Sequence, residues 1–308
     1  MNKILWKPAN TSETHFNKFI DLVNITYDQD LQTYDELYHW SINNISQFWE
    51  TSLEYSDIEY QGTYKKVLDS FHMAPNVKWF TGLNLNFAEN LLRYRDDQTA
   101  IISKIENHPV KQISYKELYS EVEKLSSALR GLGVSKGDRV AGFMPNIPET
   151  VIAMLATTSI GAIWSSSSPD FGIKSVTDRF SQIEPKVIFS ASAYLYNGKT
   201  FSSIKKLQKI IKELPTIEKI IIVDYLNTKP NYSEIPNGID YSKLISKDPD
   251  PLEFEQVPFD HPLYVLYTSG TTGLPKSIVH GTGGTLIQHK KEFLFHCDIR
   301  REDVVFYY

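Results

Sequence analysis

Cysteine is nearly absent: Cys297 is the single one in 308 residues. One thiol excludes an internal disulfide and a cysteine-cluster metal site, and it suits a reducing compartment. A lone cysteine is most often a small buried side chain, and that is the role expected of Cys297. A surplus of positive charge is lacking too, with 32 Lys and Arg against 37 Asp and Glu and a formal net charge of -5. That balance excludes the basic footprint of a nucleic-acid binder. The locally basic run Lys205 to Lys212 has clean helical spacing and reads as a solvated helix face. No run of about 18 apolar residues exists, so no membrane span is expected; the best candidate, Val151 to Trp164, is broken by Thr157, Thr158 and Ser159. The opening decapeptide, MNKILWKPAN, has only three apolar residues in a row, too few for a secretory signal. Together these absences predict a cytoplasmic location. Internal repeats and low-complexity tracts are also missing, and no residues are assigned as metal ligands.

What is present begins with a helical, aromatic-rich segment of about 95 residues. Thr33-Tyr34-Asp35-Glu36 fits a capping box, in which a hydroxyl and a carboxylate satisfy free N–H groups at a helix start. Leu37, Trp40, Ile45, Phe48 and Trp49 follow and suit a core or docking surface. Phe71 to Phe80 contains Pro75 and reads as an extended connector. From Asp97 the pattern changes. Thr99 to Ser103 is β-like. A second capping box, Ser114 to Glu117, opens a helix with apolar Leu118, Val122, Leu125, Leu129 and Leu132, and Gly131 and Gly133 provide its stop. Strands at Arg139 to Met144, Ala162 to Ser165, Lys186 to Ala191 and Lys219 to Asp224 then alternate with helices. The helices start at Asn146-Ile147-Pro148 and cover Ile173 to Ile183 and Ser203 to Glu213. Such alternation implies parallel pairing with helices on both faces, an α/β fold. Tyr225 to Pro262, rich in Asn, Asp, Pro and Ser, reads as a long connection with little regular structure.

The informative segment is Leu263 to Gly284, LYVLYTSGTTGLPKSIVHGTGG. It reads as strand, polar loop, strand. Thr268, Ser269, Thr271 and Thr272 offer neutral donors to phosphate oxygens. Gly270 and Gly273 let backbone N–H groups approach closely and permit positive φ. Successive N–H groups on a turned backbone form an anion-binding nest, and Lys276 adds one mobile cation for charge-assisted hydrogen bonds. The P-loop of kinases and ATPases is the rival, one residue away. Pro275 stands where that loop has glycine, and it has neither an N–H nor a free φ. A P-loop also opens straight into a helix, whereas Ser277 to His280 looks β-like. A plain hairpin turn is the remaining alternative. His280 suits either loop orientation or quiet packing.

Tyr267 to Lys276, YTSGTTGLPK, resembles the signature loop of the adenylate-forming superfamily, which includes acyl-CoA synthetases, luciferases and peptide-synthetase adenylation domains. Three more segments are similar to acetoacetyl-CoA synthetases within it. These are Trp79 to Leu92, Gly161 to Gly172, and Val279 to Gly284 continuing through Gln288-His289-Lys290. The resemblance spans nearly the whole chain. It implies the large N-terminal domain of an adenylate-forming enzyme, with layered sheets and flanking helices, preceded by a helical cap. Residues 1–95 would be the cap and 96–308 the first part of the AMP-binding domain. It implies acetoacetate as substrate, with acetate or propionate as the alternatives. Acetoacetate would attack the α-phosphate of ATP, giving acetoacetyl-AMP and pyrophosphate, and the coenzyme A thiol would then displace AMP. Thr268, Ser269, Gly270, Thr271, Thr272, Gly273 and Lys276 would hold the ATP phosphates, with Lys276 the catalytic cation and Mg²⁺ sharing the charge. Asn197, Gly198 and Lys199 fall where relatives contact coenzyme A phosphates, although Asn-Gly alone also explains a turn.

The resemblance also implies parts that this sequence lacks: the adenine and ribose motifs, a magnesium-binding glutamate, the hinge and a mobile C-terminal domain. Val304 to Tyr308 reads as an unfinished buried strand. The expectation is therefore an N-terminal fragment, inactive alone, whose exposed sheet edge favours homo-oligomers. A non-catalytic nucleotide-binding remnant is the other reading.

Overall fold

Period-two alternation in four short apolar segments builds the centre of the fold. Along Val187–Ala191, Val187 and Phe189 join one hydrophobic cluster and Ile188 the other. Along Lys219–Val223, Ile221 and Val223 point one way and Ile220 and Ile222 the other. Both faces are therefore buried, as a parallel sheet requires. The computed structural model describes residues 10–72, 77–268 and 273–306. Among them, seven strands form one sheet in the order Gly238–Asp240, Lys219–Val223, Val187–Ala191, Arg139–Phe143, Ile163–Ser167, Pro262–Tyr267, Ser277–Gly281. All neighbours pair in parallel except the last two, which pair antiparallel. The α/β expectation is met.

Helices supply the covering layers, and their starts follow the local rules. Ser114 caps Tyr115–Gly131: its hydroxyl accepts from the Glu117 amide at 3.2 Å, and Glu117 accepts from the Ser114 amide at 2.7 Å. The stripe Leu118, Val122, Leu125 and Leu129 is buried. Pro148 begins Pro148–Ser159, where its missing N–H costs nothing. Ile173–Phe180 and Ile204–Glu213 pack on the opposite cluster. In the latter, Leu207 and Ile210 face inward while Lys205, Lys209 and Lys212 are exposed. Buried Asn86 ties the start of this region together. Its amide nitrogen donates to the carbonyls of Thr158, Ser159 and Glu255 at 3.0, 3.1 and 2.8 Å.

The chain divides into two compact units, one of Asn84–Val257 with His261–Thr282, the other holding the segment up to Leu83, Pro258–Asp260 and the residues from Gly283 onward. This division differs from a single cut at residue 95. The second unit contains the helices His15–Tyr27, Tyr34–Asn43 and Ile45–Tyr55. Its capping box is present: Thr33 accepts from the Glu36 amide at 3.3 Å, and Glu36 accepts from the Thr33 amide at 2.8 Å. Phe19, Val23, Leu37, Trp40 and Phe295 form its core, with the Phe19 and Phe295 rings stacked at 4.2 Å.

Three expectations change. The stretch 225–262 is not plain loop: Gly238–Asp240 is an edge strand paired with Lys219–Val223, and Tyr241–Leu244 is helical. Ile239 aligns with Ile221 there. Cys297 is exposed rather than buried, because it follows the last helical turn, where Phe295 fills the core position. Val304, Val305 and Phe306 lie in no strand and are 79%, 61% and 85% exposed, so no described residues cover them. The connector Phe71 to Phe80 includes residues 73–76, outside the described residues; its far end bridges Trp79 to Leu68.

Candidate functional site

The parallel strands end together, at Phe143, Ser167, Ala191, Val223 and Tyr267, and the carboxyl ends of such strands are where α/β sheets bind ligands. Tyr264 aligns with Trp164, and three residues on both strands finish, so Tyr267 ends beside Ser167. The Ser167 hydroxyl belongs to a residue only 6% exposed and has no hydrogen-bond partner among the described residues. An orphaned buried hydroxyl at a strand end calls for a further polar group.

From Tyr267 the chain enters the polar loop and returns as Ser277–Gly281, with Tyr267 opposite Ser277 and Leu266 opposite Ile278. The residue after Lys276 opens a strand, not a helix, which removes the P-loop reading by geometry. The loop is tied at its neck: the Thr268 amide donates to the Lys276 carbonyl at 3.1 Å. Its returning arm is held by Gln182, whose side-chain nitrogen donates to the Pro275 carbonyl at 2.9 Å. Beneath it, the Ser165 hydroxyl donates to the Val265 carbonyl at 2.8 Å, and the Tyr267 hydroxyl to the Arg179 carbonyl at 2.9 Å. Burial pushes the Tyr267 phenol upward against the Ser165 hydrogen bond and the Arg179 charge, so it remains a donor. The Arg179 guanidinium lies over the Phe171 ring at 5.1 Å and near the Tyr267 ring at 5.8 Å.

Thr268, Gly273 and Lys276 are exposed. Gly273 has φ +146°, with open space where a Cβ would stand. Ser269, Gly270, Thr271 and Thr272 lie outside the described residues. The described members fit a polyphosphate: two pinned arms, one exposed ammonium, one exposed hydroxyl and an orphaned serine at the adjoining strand end. Gln182 and Arg179 were not singled out from the sequence, where they read only as parts of an amphipathic helix and its exit.

Asn197, Gly198 and Lys199 are elsewhere in the same unit, on a hairpin of Ala193–Tyr196 and Lys199–Ser202. This hairpin follows a strand three places along the sheet from Pro262–Tyr267. Asn197 and Gly198 have φ of 49° and 72°, as a two-residue hairpin turn demands. Their amides donate to the two carboxylate oxygens of Glu106 at 3.1 and 2.6 Å. His280 is half-buried, its ring centroid 5.0 Å from that of Tyr264. Among the described residues, no cluster of three or more His, Cys, Asp or Glu could hold a metal. No helix of those residues is long and apolar enough to cross a membrane.

The family described as AMP-binding enzyme matches residues 87–308, and the one described as acetyl-coenzyme A synthetase N-terminus matches residues 34–91. The chain belongs to the AMP-binding enzyme family, whose members use ATP. Over nearly its whole length it is similar to acetoacetyl-CoA synthetases. It is 42% identical to that of Macaca fascicularis over 99% of this chain and 47% of the relative. It superposes on the acetoacetyl-CoA synthetase from Streptomyces lividans with a TM-score of 0.90 at 38% identity, over 97% of this chain and 46% of the other. A malonamoyl-CoA synthetase of Penicillium aethiopicum is 39% identical over 98% of this chain and 44% of its own. The chain thus spans about half the length of the curated relatives it matches, and it corresponds to their N-terminal portion.

Proposed function

We propose that these residues serve an acid–thiol ligase that activates acetoacetate with ATP and passes the acyl group to coenzyme A. One observation carries the reading: a neck-tied hairpin loop, exposing Thr268, Gly273 and Lys276, at the carboxyl edge of a sheet that superposes on an acetoacetyl-CoA synthetase. Acyl activation at the α-phosphorus is mostly positioning plus charge neutralisation. Thr268 to Gly273 and Lys276 would grip the β- and γ-phosphates, and Lys276 would neutralise charge developing on departing pyrophosphate. Mg²⁺ would share that charge through phosphate oxygens and water, as this ion usually does. Residues 1–95 serve as the cap and 96–308 as the first part of the adenylating domain, in the cytoplasm.

Asn197, Gly198 and Lys199 are proposed to meet a coenzyme A phosphate. The Asn197 and Gly198 amides already hold the Glu106 carboxylate, an anion of similar demand. Because the chain spans about half of its relatives, the 308 residues alone are proposed to form no thioester.

The test is a graft. The chain joined to the C-terminal half of the Streptomyces lividans relative, given ATP, Mg²⁺, coenzyme A and acetoacetate, forms acetoacetyl-CoA and pyrophosphate. Use of acetate, propionate or malonamate in preference to acetoacetate overturns the acyl assignment. ATP binding without turnover by any acid leaves only a nucleotide-binding remnant. Thioester formation by the ungrafted chain overturns its inactivity.

A further inference from the structure

A cavity of about 250 Å³ lies in the N-terminal unit, and a cavity of about 150 Å³ already admits benzene. Phe16, Tyr34 and Tyr38 make one wall, and Phe48 and Trp49 another. The Phe16 and Tyr34 rings stack at 5.8 Å, and Tyr34 and Tyr38 at 6.4 Å. Into this aromatic box reaches one cation. The Lys291 side chain is only 16% exposed, and its ammonium lies 2.7 Å from Glu292, itself 43% exposed at the rim. An ammonium has three N–H donors, and the Glu292 contact uses one.

The backbone behind that lysine is unusual. Directly after Lys291 the helix widens into a π-turn, Glu292–His296. Such turns are rare and frequently mark functional sites. This one directs Phe295 into the core against Phe19 and sets His296 at the cavity with its ring 6.4 Å from that of Tyr34. Apolar walls with a single, largely buried ammonium discriminate by both shape and charge: a flat apolar body gains from the rings, and a carboxylate gains a charge-assisted hydrogen bond.

We infer that this cavity is a binding site for a small aromatic or apolar carboxylate, separate from the loop around Lys276. It is built from the aromatic faces of the helices Tyr34–Asn43 and Ile45–Tyr55 and the ammonium of Lys291.

The experiment titrates the 308-residue chain with 4-fluorobenzoate and, separately, with 4-fluorobenzyl alcohol, followed by fluorine NMR. Benzoate binds saturably and about tenfold more tightly than the alcohol, the share expected of one charge-assisted hydrogen bond. Lys291→Met abolishes that preference, whereas Lys291→Arg retains it. Ser41→Phe, which fills the cavity from the helix Tyr34–Asn43, weakens both ligands. Circular dichroism and melting curves confirm that each variant is folded. If one variant fails to fold, the contrast between the two wild-type titrations and the arginine variant still decides. Equal binding of the two probes, no saturation, or an unchanged preference in Lys291→Met overturns the inference.

Discussion

The side-chain amide of Gln182 donates to the carbonyl of Pro275 at 2.9 Å, anchoring the returning arm of the hairpin loop to the turn beyond the helix Ile173–Phe180. The neck bond from Thr268 to Lys276 fixes the loop's width; Gln182 fixes where Lys276 starts. Losing one such hydrogen bond costs about 1 kcal/mol, about fivefold in an equilibrium. In the grafted enzyme, Gln182→Leu raises the KM for ATP about fivefold while kcat and the melting temperature change little. Steady-state kinetics at varied ATP checks this, and an unchanged KM removes Gln182 from the site.

Lys276→Ala acts on one half-reaction. Pyrophosphate is present only while the acid is being adenylated, so the lost ammonium slows that step about 10- to 100-fold, the range for a hydrogen bond to a charged group. Thioester formation from supplied acyl-adenylate keeps its rate. Burst measurements on the graft separate the two steps, and equal losses in both contradict the assigned role.

Gly142 is fixed by its neighbour in the sheet. A Cβ at this position would stand 2.7 Å from two ring carbons of Trp164, itself 5% exposed. Gly142→Ala therefore destabilises the chain by about 1–3 kcal/mol, the usual toll of overpacking. Trp164→Phe added to it recovers part of the loss, as a denaturant double-mutant cycle will record.

Asp138 carries a pH dependence of known sign. Burial raises its carboxyl pKa, but the Ser135 amide and hydroxyl and the Lys186 ammonium, at 2.9, 3.1 and 3.0 Å, outweigh burial and hold it below the ordinary range. The folded pKa is depressed, so the stabilisation is complete above the unfolded value, about 4, and disappears as pH falls through the folded one. Urea midpoints of the wild type and Asp138→Asn, compared from pH 7 downward, converge below about pH 4. Parallel curves throughout would sink this account.

The central sheet and its helix starts were legible because each rests on near neighbours. Ser114 and Glu117 sit in one turn, and Val187 to Ala191 alternate over five residues. The strand–loop–strand course from Pro262 to Gly281 was legible for the same reason, since its two β-like runs are contiguous in sequence. What stayed hidden depends on remote partners. Gly238–Asp240 has only three residues, drawn from the turn formers around them, and becomes a strand because Ile221 lies beside Ile239. The support from Gln182 joins residues 93 positions apart. The exposure of Cys297 was equally unreadable, because it depends on Phe295 taking the core position first.

The antiparallel strand Ser277–Gly281 is held in step with its neighbour by the run of pairs from Tyr264 with His280 to Tyr267 with Ser277. Sliding that strand by a single residue would trade the sides of Ile278 and Val279. Change within the hairpin loop is therefore harmless to the sheet only where it leaves Tyr267 opposite Ser277.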